Sequence, residues 1–289
     1  MDSVQFLSAA RLAIVAGKGG VGKTTVTAVM ARAAFAVGLR VLVVDLEGKA
    51  HLSELLQPLG IEVTTITAAD ALAEYLDTHG LRRVSKRLAT SGIIDVVATA
   101  APGIDDIVVL GKLKQLERSG LYDLIVVDGP AAGHAITFLL SAKSLLDVVH
   151  GGPIHTQAQD VLEMFADPSR CQVFLVTLPE VTPVNEVIET AYQLEELAGI
   201  QLAPIIVNGI DFGEALADPD TIPDLDECVR DAAAFRNRRR ANQRAQLERL
   251  RTDLALAQLY LPQLAVADLS AADVEVLADA LIQQIAELP

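Results

Sequence analysis

The chain has 289 residues, enough for one large α/β domain or two small ones. Hydrophobic residues make up 51% and charged residues 21%, which excludes a disordered chain and leaves a sizeable core to bury. The formal net charge of −15 argues against nucleic acid or anionic lipid as a partner, since both would repel so acidic a protein.

No apolar run reaches the ~18 residues that a membrane-spanning helix needs. Residues 1–10 lack the basic start and apolar middle of a secretion signal. The two cysteines, Cys171 and Cys228, form no CxxC pair, so neither zinc nor a disulfide framework is expected. Together these features point to the cytoplasm.

In chain order, apolar β-branched runs predict strands at residues 11–16, 41–45, 95–99, 122–128, 172–177 and 204–208, with one more at 259–261. Helical patterns lie at 22–37, 104–117, 183–197, 225–257 and 270–288. Short buried strands separated by helices read as an α/β fold, a mostly parallel sheet flanked by helices. Two stretches exceed a minimal sheet: about 52–89, mostly helical in pattern, and about 211–251, a loop followed by a charged helix. They are read as helical insertions on the ligand side of a single domain covering 1–289.

The most informative segment is Gly17-Lys18-Gly19-Gly20-Val21-Gly22-Lys23-Thr24-Thr25. It follows a predicted strand and opens a predicted helix, the context that the P-loop motif G-x-x-x-x-G-K-[ST] requires. Glycines there let backbone N–H groups turn toward phosphate oxygens, and the helix start adds its unpaired N–H groups and positive dipole end. With ATP or ADP as the expected cofactor, Lys23 is placed to neutralise the β-phosphate and, in ATP, the γ-phosphate, and the Thr24 hydroxyl to ligate Mg²⁺. Asp128 ends the apolar run Leu124-Ile125-Val126-Val127, the Walker B pattern, and would hold the Mg²⁺ shell. Asp45 and Glu47 leave the strand after the P-loop helix at a spacing that shares one face. Asp45 would support Mg²⁺ and the loop, and Glu47 would orient or activate the attacking water.

Lys18 and its neighbours resemble the deviant Walker A of the signature-lysine ATPases. Asp128-Gly129-Pro130-Ala131-Ala132-Gly133-His134 resembles the D-T-A-P-T-G-H switch II of the ArsA-like branch, which holds the arsenical-pump and tail-anchored-protein-targeting ATPases. Ala101-Pro102-Gly103-Ile104-Asp105-Asp106 resembles its P-G-[IM]-D-E segment, Ile206-Val207-Asn208 its adenine contact, and Leu261-Pro262 its late proline segment. The resemblance implies a P-loop NTPase fold and a dimeric, Mg·ATP-hydrolysing switch that captures or releases a protein client. Lys18 would act across the dimer, Glu47 would lie in switch I, Gly133 and His134 in switch II, and Asn208 and Pro262 at the adenine. Three departures stand out. Switch I reads Glu47-Gly48-Lys49-Ala50 where the branch has D-P-A-H, both cysteine motifs of the branch are missing, and there is one ATPase unit where the arsenite pump subunit has two. A weakly catalytic, nucleotide-gated subunit paired with a paralogous ATPase, and an anion-efflux ATPase, therefore remain alternatives.

The eight arginines within 230–251 read as a solvated helix face, with an acidic partner as the sharper alternative. His150 and His155 lack acidic or thiol neighbours and are not read as metal ligands. The last helix carries no Lys or Arg, which argues against a basic membrane-targeting helix.

Overall fold

A computed structural model describes residues 1–78, 103–130 and 132–288. The strand expected at 95–99 and the start of the segment at 101–106 lie outside these residues, as does the side chain of His134, while Gly133 falls in the first turn of the helix that begins at Ala132.

Seven strands form one sheet: β1 (Leu12–Gly17), β2 (Val41–Asp45), β3 (Glu62–Thr65), β4 (Leu124–Asp128), β5 (Cys171–Thr177), β6 (Ile205–Ile210) and β7 (Gln258–Pro262). Their order is β3-β2-β4-β1-β5-β6-β7, and every paired neighbour is parallel. The helices are α1 (Ser3–Leu7), α2 (Lys23–Ala36), α3 (Ala50–Leu56), α4 (Ala68–Thr78), α5 (Ile104–Ser119), α6 (Ala132–Val148), α7 (Pro153–Ala166), α8 (Val181–Ala198), α9 (Glu227–Asp253) and α10 (Ala271–Ala286).

Strand periodicity divides the core into two layers. Leu12, Ile14, Leu42, Val44, Ile125 and Val127 pack with residues of α5, α6, α7 and α8. The alternate residues Ala13, Val15, Val41, Val43, Leu124 and Val126 pack with residues of α2, α3 and α10. Both faces of the central strands are therefore dry, which is why they read as continuous apolar runs. Each fully buried Leu, Ile or Val contributes about 1.5–3 kcal/mol relative to exposure.

The sequence pattern differs from the structure in two places. The stretch expected to be mostly helical from residue 52 contains β3, which joins the sheet beside β2. At four residues, with exposed ends and half-buried Val63 and Thr64, it is too short to show a period. The connection from β4 to β5 holds α6 and α7, which the pattern did not delimit; α6 carries apolar residues on most sides and shows little helical period. Further along, α9 is anchored to the end of β6 by Gln243, which donates to the Gly209 carbonyl at 3.2 Å and accepts from the Asp211 N–H at 3.2 Å.

Candidate functional site

The site lies where β1 gives way to α2. Lys23 opens α2, and Gly22 caps it with φ of 88° and no side-chain hydrogen bond, so no side chain competes for the first-turn N–H groups. Gly22 is required twice over. Its positive φ disfavours L side chains, and a Cβ there would stand 2.3 Å from the Asn208 amide nitrogen. That amide donates to the Val21 carbonyl at 3.0 Å and so braces the loop from β6. Gly19 and Gly20 are exposed at the tip of the loop, Val21 is buried beneath it, and Thr25 is half-buried in the first turn of α2.

Lys23 is only 6% exposed, with its Nζ 3.4 Å from the Lys18 carbonyl oxygen. Burial lowers its pKa; the positive charge of Lys49 adds to that effect, and Asp128 and Glu47 oppose it. Lys18 pairs with Glu186 of α8.

Asp128 ends β4 in register with Val15 of β1 and Asp45 of β2. Its carboxylate is buried and accepts from Thr24 Oγ1 at 2.8 Å and Thr27 Oγ1 at 3.3 Å. Gly129 follows so close to β1 that a Cβ would lie 2.4 Å from the Val15 carbonyl oxygen. Asp45, expected to support both metal and loop, accepts the backbone N–H groups of Glu47, Gly48 and Lys49 and so braces the turn that carries Glu47.

Sequence reasoning missed Lys49. Its Nζ lies 2.9 Å from Glu47 Oε2, 3.1 Å from Thr24 Oγ1 and 3.2 Å from Asp128 Oδ2. Burial works against this ammonium, but the hydrogen bonds and charges of Glu47 and Asp128 outweigh it and hold its pKa above the ordinary lysine value. Three hard oxygen donors thus converge on one point that a cation already satisfies. That donor set fits Mg²⁺, with the ammonium standing in for the metal. The one available signal was a lone lysine two residues beyond Glu47 in the turn that departs from D-P-A-H. Thr27, which adds the second hydroxyl on Asp128, and Glu186, which holds Lys18, were also missed.

Two expected adenine contacts sit on neighbouring strands. Asn208 lies in β6 with its amide nitrogen on the Val21 carbonyl, and Pro262 ends β7 opposite Ile210. Pro262 lines a cleft with Ile210, Asp211, Phe212 and Arg236. Arg236 clamps Asp211 at 2.8 and 3.0 Å and, through that hydrogen bond, lowers its pKa from 3.8 to about 2. Among the described residues no cluster of three or more His, Cys, Asp or Glu is arranged to hold a metal.

A parallel sheet, a strand–loop–helix cradle with a buried lysine, and a carboxylate ending the adjacent strand define a P-loop nucleotide-binding protein. Residues 10–150 match a family model described as anion-transporting ATPase. The ATPase BagA of Mycobacterium tuberculosis is 34% identical over 227 residues, covering 70% of this chain and 66% of that protein. A putative arsenical pump-driving ATPase of Halobacterium salinarum is 29% identical over 269 residues, covering 81% of this chain and 38% of its own length. An arsenical pump-driving ATPase of Escherichia coli is 30% identical over 213 residues, covering 68% of this chain and 34% of its own length. The chain belongs to the ArsA-like ATPases. It spans 66% of the length of the mycobacterial relative and little more than a third of the pump ATPases. Among the described residues no helix is long and apolar enough to cross a membrane.

Proposed function

We propose that this chain is a dimeric switch that binds Mg·ATP at the P-loop and couples its hydrolysis to capture or release of a protein client. The observation that carries the reading is the Thr24–Asp128 contact of 2.8 Å, which joins the first turn of α2 to the end of β4 beside the buried Lys23. Mg²⁺, when bound, would offset phosphate charge as it develops during transfer. Thr24 and Asp128 hold the metal in this reading, and Asp45 fixes the turn on which Glu47 is carried. Lys23 and the N–H groups of residues 19–24 bind the phosphates, while Glu47 orients the attacking water. Lys18 leaves Glu186 and reaches across the dimer to the partner's nucleotide, as an arginine finger does. Asn208 and Pro262 border the adenine.

Lys23→Ala tests the assignment: phosphate release and Mg·ATP uptake measured by calorimetry should both disappear. Retained turnover in that variant would defeat it.

A second reading, a weakly catalytic subunit that pairs with a paralogous ATPase, draws on the ion pair between Glu47 and Lys49 at 2.9 Å. The carboxylate meant for water is already engaged. Phosphate release by the purified chain alone favours the first reading; release that starts only when a second ATPase chain is added favours the other. The anion-pump role in the relatives' names transfers only if arsenite stimulates turnover.

A further inference from the structure

We propose that Lys49 is a positioning residue that competes with the divalent metal: its ammonium holds the metal position, and metal entry must expel it. The inference rests on the Mg·nucleotide reading of the site and goes beyond it, because neither the P-loop nor the Walker B strand requires a cation from switch I.

The geometry is specific. Lys49 stands at the N-cap of α3 with extended backbone, φ −77° and ψ 111°. Its own N–H is one of the three that Asp45 accepts, so the root of the side chain is fixed to the end of β2. From there the Nζ lies 2.9–3.2 Å from Glu47, Thr24 and Asp128, while Thr24 itself donates to the same Asp128 oxygen at 2.8 Å. A metal held by Thr24 and Asp128 would need the space that this ammonium fills. Two cations cannot share it, so one must leave.

Two consequences follow. Without metal, Lys49 neutralises Asp128 and Glu47 and keeps the turn at 47–50 closed on the P-loop. With metal, the ammonium is displaced and Glu47 is released from its ion pair, so arrival of the metal frees the carboxylate proposed to orient water. Switch I would thereby respond to the metal through a charge exchange.

The test uses the full chain, with Mn²⁺ as a countable substitute for Mg²⁺. Free Mn²⁺ is measured by electron paramagnetic resonance in the presence of ADP, for wild type, Lys49→Met and Lys49→Gln. Removing the charge should tighten Mn²⁺ binding at least about tenfold, because wild type must first give up the attraction between the ammonium and a carboxylate about 3 Å away, which is worth that much even in the dielectric of water. In EDTA both variants should melt below wild type, because Asp128 and Glu47 lose their counter-charge, and Mn²⁺ with ADP should raise their melting temperature by more. In wild type, amine acetylation read by mass spectrometry should increase at Lys49 when Mn²⁺ and ADP are added. Unchanged or weaker Mn²⁺ binding in a folded variant overturns the proposal. So does looser ADP binding with Mn²⁺ present, or Lys49 becoming more protected in wild type, since either makes Lys49 a phosphate ligand. Wild type that takes up no ADP with metal overturns the nucleotide reading and, with it, this proposal.

Discussion

Replacing Gly22 by alanine tests whether the P-loop is braced from β6. Gly22 has φ of 88°, and an added Cβ would stand 2.3 Å from the Asn208 amide nitrogen. Left-handed backbone at an alanine costs about 1 kcal/mol. The Cβ also expels the Asn208 amide, so the 3.0 Å bond to the Val21 carbonyl is lost. That bond contributes about 1 kcal/mol, so Gly22→Ala should cost about 2 kcal/mol. Asn208→Ala alone loses only the bond, about 1 kcal/mol. In the double variant the clash has nothing to strike, and the loss should again be about 2 kcal/mol rather than about 3. The assay is urea unfolding of all four proteins, followed by two probes to confirm a single transition. A coupling energy of about 1 kcal/mol supports the brace. Additive losses would mean that Asn208 does not hold the loop, and the account of Gly22 would reduce to backbone strain.

Arg170→Ala should destabilise by about 3–5 kcal/mol in urea, because it strips the partner from the Glu117 carboxylate, buried on α5 and bonded at 2.8 Å. Adding Glu117→Gln should recover part of the loss; no recovery would point to packing instead. The Asp211–Arg236 pair predicts a pH dependence. The folded carboxyl is depressed from 3.8 to about 2, so its stabilisation is complete above the ordinary value and is lost as pH falls through 2. Arg236→Ala should therefore be less stable than wild type by up to about 1 kcal/mol at pH 7, the pair being partly solvated, with a gap that shrinks as pH falls through 2 and closes only below it. A stability gap as large at pH 2 as at pH 7 would refute the ion-pair origin.

The features most legible in the sequence are those made by neighbours in the chain. The P-loop is one continuous segment, and β1, β2 and β4 announce themselves because burial on both faces forces unbroken apolar runs. What escaped depends on residues that meet only after folding. Lys18 and Glu186 are 168 positions apart, and Asn208 and Val21 are 187 apart. Lys49 meets Thr24 across 25 positions and Asp128 across 79, so no spacing rule could assemble the three. Strand β3 escaped for the opposite reason: four residues hold too little pattern to separate them from the helices on either side. For α6, the many apolar sides that suit a well-buried helix also flatten the period that would have revealed it.

Asp45 and Asp128 stand opposite one another in adjacent parallel strands, with Val15 level on the far side of Asp128. The sheet therefore acts as a ruler against which the phosphate loop and the two carboxylates are set. One inserted or deleted residue within β4 would rotate Asp128 to the opposite face of the sheet, away from both threonines of α2. The same insertion in a helix-to-strand connection would leave the graduation intact. Length variation across relatives of this chain should accordingly collect in those connections and spare the last turns of the pleat.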